Sequence, residues 1–148
     1  TVNGGVLVAG TTSLTSGAIT VNNGAGMKVY ATTTESANLT LANAVTFASG
    51  AKLLVDLGGL ALEDKMTLDI ISSTAAIAFG NTTSGTIENT WFEVSGAAGW
   101  NPSTFTWEIV NKNAANILTL TIPEPSMFGL LAGFGALALV GARRRRKA

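Results

Sequence analysis

The sequence predicts an all-β body, a parallel β-helix-like solenoid with an antiparallel C-terminal cap, followed by a single C-terminal transmembrane helix. Three observations predict it. Short alternating apolar segments are separated by glycine and asparagine turns. One stretch recurs in outline 26 residues further on. The chain closes on an unbroken apolar run ending in a block of basic residues. An ordinary β-sandwich body is the alternative that the same alternation allows.

The first strands are read from period-two alternation and β-branched content. They are Gly5-Val6-Leu7-Val8, Ala18-Ile19-Thr20-Val21, Met27-Lys28-Val29-Tyr30, Asn38-Leu39-Thr40-Leu41 and Lys52-Leu53-Leu54-Val55. Asn22-Asn23-Gly24, Ser49-Gly50 and Gly58-Gly59 punctuate them as turns. The repeat aligns Val21-Asn22-Asn23-Gly24-Ala25-Gly26-Met27-Lys28-Val29 with Phe47-Ala48-Ser49-Gly50-Ala51-Lys52-Leu53-Leu54-Val55. Val2-Asn3-Gly4-Gly5-Val6 reads as the end of an earlier copy. A period of roughly 20–30 residues is that of a solenoid coil, each coil adding about 4.8 Å along the axis. Residues 1–60 are therefore assigned to solenoid repeats.

Residues 61–122 read as a β-rich cap with longer strands. These are Met66–Ile71, Ala76–Phe79, Trp91–Val94, Phe105–Val110 and Ile117–Thr121, with a turn at Asn111-Lys112-Asn113. An open stack of strands needs its last rung covered. All three tryptophans lie here. Trp91 and Trp107 fall within alternating strands, which favours burial. Trp100, between Gly99 and Asn101-Pro102, reads as a loop residue and is the candidate glycan contact.

The tail, residues 123–148, has three parts. Pro123-Glu124-Pro125-Ser126 resists helix formation, because proline fixes its own backbone and restricts the residue before it. Met127–Ala142 holds only Met, Phe, Leu, Ala, Val and Gly. In hydrocarbon such a stretch must be helical, since lipid offers no partner to free amides. Its length is roughly 24 Å at about 1.5 Å per residue, against an apolar core of about 30 Å, which describes a weak or temporary anchor. Arg143, Arg144, Arg145, Arg146 and Lys147 then form a cytoplasmic stop. A central Arg or Lys costs about 2.5–3.5 kcal/mol even on lenient insertion scales, and basic residues stay inside. The body is thus expected outside the cytoplasm and the C-terminus within it.

Pro123-Glu124-Pro125-Ser126, the apolar helix and the terminal arginines resemble, in that order, the PEP-CTERM sorting domain. The resemblance implies a substrate of an exosortase, a polytopic membrane enzyme of exopolysaccharide-producing bacteria. Pro123, Glu124 and Pro125 are then recognition residues, not catalytic ones. It further implies an inner-membrane anchor before processing and a place at the cell surface or in the extracellular matrix afterwards. Positions 1–60 also resemble, loosely, the β-strand repeats of autotransporter-type passengers.

Composition excludes several chemistries. The sequence has no Cys and no His, so disulfides, thiolate or histidine metal sites and Ser-His-Asp or Cys-His nucleophiles are impossible within it. Positions 1–122 carry Lys28, Lys52, Lys65 and Lys112 against eight carboxylates, a net charge of −4, with no basic surface for nucleic acid. Gly133-Phe134-Gly135-Ala136-Leu137-Ala138 matches a dinucleotide fingerprint but lacks the preceding strand and the following acid. Gly129 and Gly133 have helix-pairing spacing, a weak sign in a glycine-containing span. Glu63, Asp64 and Asp69 are the carboxylates close enough in sequence for glycosidase or calcium chemistry. Adjacent acids near a turn more often serve as solvated charge. No catalytic residue, metal or cofactor is expected. The expected partners are an exosortase-type enzyme, membrane lipid and exopolysaccharide. Thr1 and the lack of an export signal before the body lead to the expectation of a C-terminal piece of a longer exported precursor, or its trimmed form.

Overall fold

A computed structural model describes residues 1–10, 13–14, 17–87 and 91–124. The described chain is all-β, with twelve strands, one short 3-10 helix (Pro102–Thr104) and no α-helix. The strands are β1 (Gly5–Ala9), β2 (Ile19–Val21), β3 (Ala25–Tyr30), β4 (Leu39–Leu41), β5 (Val45–Phe47) and β6 (Lys52–Asp56). They continue as β7 (Thr67–Ser73), β8 (Ile77–Phe79), β9 (Ser84–Thr86), β10 (Phe92–Ser95), β11 (Thr106–Lys112) and β12 (Ala115–Thr121).

Three sheets form, with strand orders β1-β3-β6-β10, β2-β5-β8 and β4-β7-β12-β11-β9. From β3 to β8 the chain visits the first, third and second sheets in turn, twice over. Strands of successive turns pair in parallel: β1 with β3, β3 with β6, β2 with β5, β5 with β8, and β4 with β7. The 26-residue offset appears in the register itself, with Val21 opposite Phe47 and Gly26 opposite Lys52. The earlier copy is joined likewise, with Val2 bridging Val21 and Val6 opposite Gly26. At the turn, Asn22 Nδ2 donates to Asn3 Oδ1 at 2.7 Å.

Parallel pairing stacks like residues over like, and this builds the core. Inward positions line up as Met27–Leu53–Phe92 in the first sheet and Val21–Phe47–Phe79 in the second. The Phe47 and Phe79 rings stack with centroids 4.5 Å apart and planes within 9°. Each fully buried side chain of this kind contributes about 1.5–3 kcal/mol. Outward positions alternate with them; Lys28 and Asp56 pair at 2.9 Å on the outer face of the first sheet.

The parallel stack runs past residue 60. β7 and β8 extend the third and second sheets, and β10 lies parallel to β6. The buried hydrophobic residues form one cluster from Ala9 to Ile122. Antiparallel pairing enters through β12, which lies between β7 and β11, and through β9 on the far side of β11. This hairpin closes one end of the core: Phe105, Trp107, Leu118, Leu120 and Ile122 are buried. Trp107 contacts Phe79 and Phe92, with centroids 5.2 and 4.9 Å away. At the other end, β1 is an outer edge of its sheet, with Val6 and Val8 exposed.

Local details differ from the sequence reading in three places. β5 and β9 are additional strands. The β11–β12 turn is Asn113-Ala114, one residue later than Asn111-Lys112-Asn113, because Lys112 still pairs with Ala115. Asn113 and Ala114 both have positive φ (53° and 62°), the geometry of a two-residue type I′ hairpin turn.

Among the described residues, the buried polar side chain of the β3–β4 loop, Asn38, is fully hydrogen-bonded. Asn38 Oδ1 accepts from the amides of Thr32 and Thr33 at 2.6 and 3.0 Å, and Nδ2 donates to the carbonyls of Thr33 and Asp69 at 3.1 Å each. One side chain thus fixes the loop between β3 and β4 to the next turn of the stack.

Candidate sorting-signal site

The site is where the folded body ends. β12 is paired on both sides, its final residue Thr121 lying opposite Thr67 on β7 and Thr106 on β11. One residue further on, the buried Ile122 donates its amide to the Met66 carbonyl at 2.9 Å. Pro123 follows. It has no amide hydrogen to donate, so the ladder cannot continue through it. Glu124 is tethered instead by its side chain, which forms an ion pair with Lys65.

Lys65 is presented by a tight turn. The Met66 amide reaches the Glu63 carbonyl at 3.3 Å, and Lys65 sits at φ 59°. Lys65 and Glu124 side chains keep 74% and 51% of their exposure, so the pair is solvated and both groups are accessible to a partner. Solvated pairs contribute at most about 1 kcal/mol. Of the sorting residues, Pro123 and Glu124 are thus placed on the rim of the body, two and three residues beyond β12. Pro125, the apolar run Met127–Ala142 and Arg143–Lys147 lie outside the described residues. Among the described residues no helix is long and apolar enough to cross a membrane.

The other candidates are placed as follows. Trp100 lies at a bend ahead of the 3-10 helix and is partly buried, packed against the core, so that only part of its ring faces solvent. Trp91 is partly buried against Phe79, and Trp107 is buried. Asp69 accepts a hydrogen bond from Thr119 Oγ1 at 3.0 Å and lies 3.7 Å from Lys112 Nζ. It is bound up in the β7–β12 pairing. Among the described residues no group of three or more carboxylates could hold a metal ion. A shallow groove of about 470 Å³ is lined by Ser84, Gly85, Thr86, Thr106, Trp107, Glu108 and Thr121. Its hydroxyls carried no sequence signal, because they come together only when β9 and β12 flank β11.

Elsewhere on the surface, Lys28 and Asp56 perturb each other. The hydrogen bond from Lys28 holds the Asp56 carboxyl below its ordinary range, aided by the Gly58 amide at 3.0 Å. The same bond raises Lys28, whose ammonium also lies 4.5 Å from the Tyr30 ring centroid. This cluster braces β3 against β6 on a solvated face.

Fold and terminus together define an all-β protein whose C-terminal segment is a targeting signal attached to its last strand. The signal is a PEP-CTERM protein-sorting motif: the family model of that description matches residues 121–146. No curated protein and no solved structure matches the chain. The match begins at Thr121, the final residue of β12, so the signal overlaps the last strand by one residue and includes the buried Ile122. It supports export of the chain and its sorting through the membrane by an exosortase.

Proposed function

We propose that this chain is the folded body and sorting tail of an exported structural protein of the bacterial cell surface or extracellular matrix. The tail is processed by an exosortase. The observation that carries the reading is the matched motif at residues 121–146, fixed to the last strand of a β-stack. Pro123, Glu124 and Pro125 are the recognition residues. Met127–Ala142 is a temporary inner-membrane anchor, and Arg143–Lys147 hold the C-terminus in the cytoplasm.

The body is a short β-helix-like solenoid, with the hairpin of β11 and β12 as its cap. Supporting this are the parallel pairings between successive turns and the antiparallel closure at one end. Such a body is a spacer or lattice element and carries out no catalysis of its own. Absence of Cys and His from the whole sequence fits that role. Membrane lipid is a partner only until processing.

The test is substitution of Glu124 by Ala, or of Pro123 and Pro125 together by Ala, in a host that makes the processing enzyme. The expected outcome is full-length precursor retained in the membrane fraction; normal maturation of these variants would refute recognition through the motif. A second reading, attachment to exopolysaccharide, is favoured by the hydroxyl-lined groove, whose wall includes the Glu108 carboxylate. Retention of purified chain on the polysaccharide should then fall in Glu108→Ala, and in Trp100→Ala if that ring contributes. Unchanged retention in both would dismiss it.

A further inference from the structure

The sorting signal is joined to the body without a linker. Thr121 is in the strand, Ile122 is buried and hydrogen-bonded to Met66, and Glu124 is paired with Lys65. These contacts extend the antiparallel β7–β12 register beyond the last strand residue. Opposite Thr121 stands Thr67, opposite Ile122 stands Met66, and Lys65 reaches Glu124. Main-chain pairing must stop at Pro123, so a side-chain pair takes over where the ladder fails.

We infer that Lys65 is a positioning residue for the sorting signal. The Met66 carbonyl fixes Ile122, just before the motif, and Lys65 holds Glu124, so Pro123 and Glu124 are kept against the rim of the folded body. This deepens the sorting reading above and rests on it. A peptide segment freed at this point would sample many orientations before docking into a membrane enzyme. Fixing it in advance reduces that conformational cost. Proline at 123 contributes the same kind of restriction through its fixed φ. Lys65 adds a restraint on Glu124, and because both side chains are largely exposed, the enzyme can still reach the carboxylate. An enzyme that grips Pro123 and Glu124 must also meet the Glu63–Met66 turn, since no spacer separates the two. The surface it reads is therefore composite, part motif and part body.

Two measurements on the full-length precursor test this. In detergent, a zero-length carbodiimide should join Lys65 Nζ to Glu124 as an amide with loss of water, identified by peptide mapping. Lys65→Arg should give no such product. In cells, pulse-chase processing of Lys65→Ala should be about two- to fivefold slower than wild type, the range open to an exposed ion pair. Lys65→Arg should restore the rate, and Lys65→Ala should lower the melting temperature by no more than about 4 °C, with the fold otherwise intact. Absence of the cross-link, or wild-type processing of Lys65→Ala while Glu124→Ala is blocked, overturns the inference and leaves the sorting reading intact. Normal processing of Glu124→Ala overturns the sorting reading itself.

Discussion

Phe79 is the side chain through which the parallel stack and the antiparallel hairpin become one core. Its ring lies on Phe47 at 4.5 Å and meets Phe92 at 5.1 Å, Trp107 at 5.2 Å and Trp91 at 5.9 Å, with no solvent exposure. Truncation to alanine removes the buried ring and leaves a cavity between three sheets. Such substitutions cost about 3–5 kcal/mol, and loss of aromatic pairs worth about 0.5–1.5 kcal/mol each favours the upper part of that range. Total stability of a domain is about 5–15 kcal/mol, so the variant should remain folded but weakened. With a urea slope of about 2 kcal/mol/M, a loss of about 4 kcal/mol lowers the midpoint by about 2 M. Phe79→Leu keeps most of the volume but gives up the same ring contacts, so it should lose less than the alanine variant and more than an isosteric swap would. The assay is urea unfolding of the detergent-solubilised chain, followed by tryptophan fluorescence and far-ultraviolet dichroism together. Both signals should shift as one transition, because Trp91 and Trp107 report on the hairpin end while most dichroism comes from the stack. A midpoint change below about 0.5 M, or two separated transitions, would refute the single-core reasoning.

Other expected outcomes are more local. A Cβ on Gly96 (φ 74°) would lie 2.3 Å from the Gly58 amide nitrogen, where two turns of chain cross. Gly96→Ala should lose about 2–4 kcal/mol in urea unfolding, combining left-handed strain with backbone overpacking. Gly4→Ala, with nothing within 4 Å of the new carbon, should stay within about 0.5 kcal/mol of wild type. Ala114→Gly should stabilise the chain by about 0.5–1 kcal/mol, since a type I′ turn requires positive φ at that position. The lowered pKa of Asp56 makes its contribution complete above the unfolded value of 3.8 and lost as pH falls through the folded one. The raised pKa of Lys28 makes its contribution complete below the unfolded value of 10.5 and lost as pH climbs through the higher folded value. The melting-temperature difference between wild type and Asp56→Asn should therefore hold across neutral pH and vanish in acid; a difference that persists in strong acid would contradict the pairing.

The legible parts of the fold are those whose signal lies in adjacent residues. The offset linking Val21 with Phe47 and Gly26 with Lys52 was readable because turn chemistry and alternation repeat together over two coils. The next coil hides the same architecture. Thr46 lies opposite Ala78, an offset of 32, and Leu53 opposite Phe92, an offset of 39, because longer loops intervene. That drift is why the stack is visible in sequence only as far as residue 60. β9 was missed because Ser84-Gly85-Thr86 has no apolar residue; β11 alone makes it a strand. The hairpin turn moved by one residue because Lys112 gains a cross-strand partner that local preference does not register.

At the site the balance is reversed. The Pro-Glu-Pro motif, the apolar run and the basic block are written contiguously and were readable without a fold. Lys65 was not. It lies 59 positions before Glu124, inside an acidic stretch that reads as solvated turn, and only the β7–β12 register brings it to the motif. Trp100 is on a loop as the sequence reads, but its packing against the core accompanies a turn in which its amide donates to the Ala97 carbonyl at 3.0 Å, which period-two patterning does not encode.

The most direct test of the account is the intact mass of the exported form, recovered from the cell surface or medium of a host that makes the processing enzyme. The expected species ends near Pro123–Pro125 and lacks Met127–Lys147. An exported species whose mass still includes Arg143–Lys147 would contradict the account, because the segment held responsible for sorting would have passed through it unprocessed.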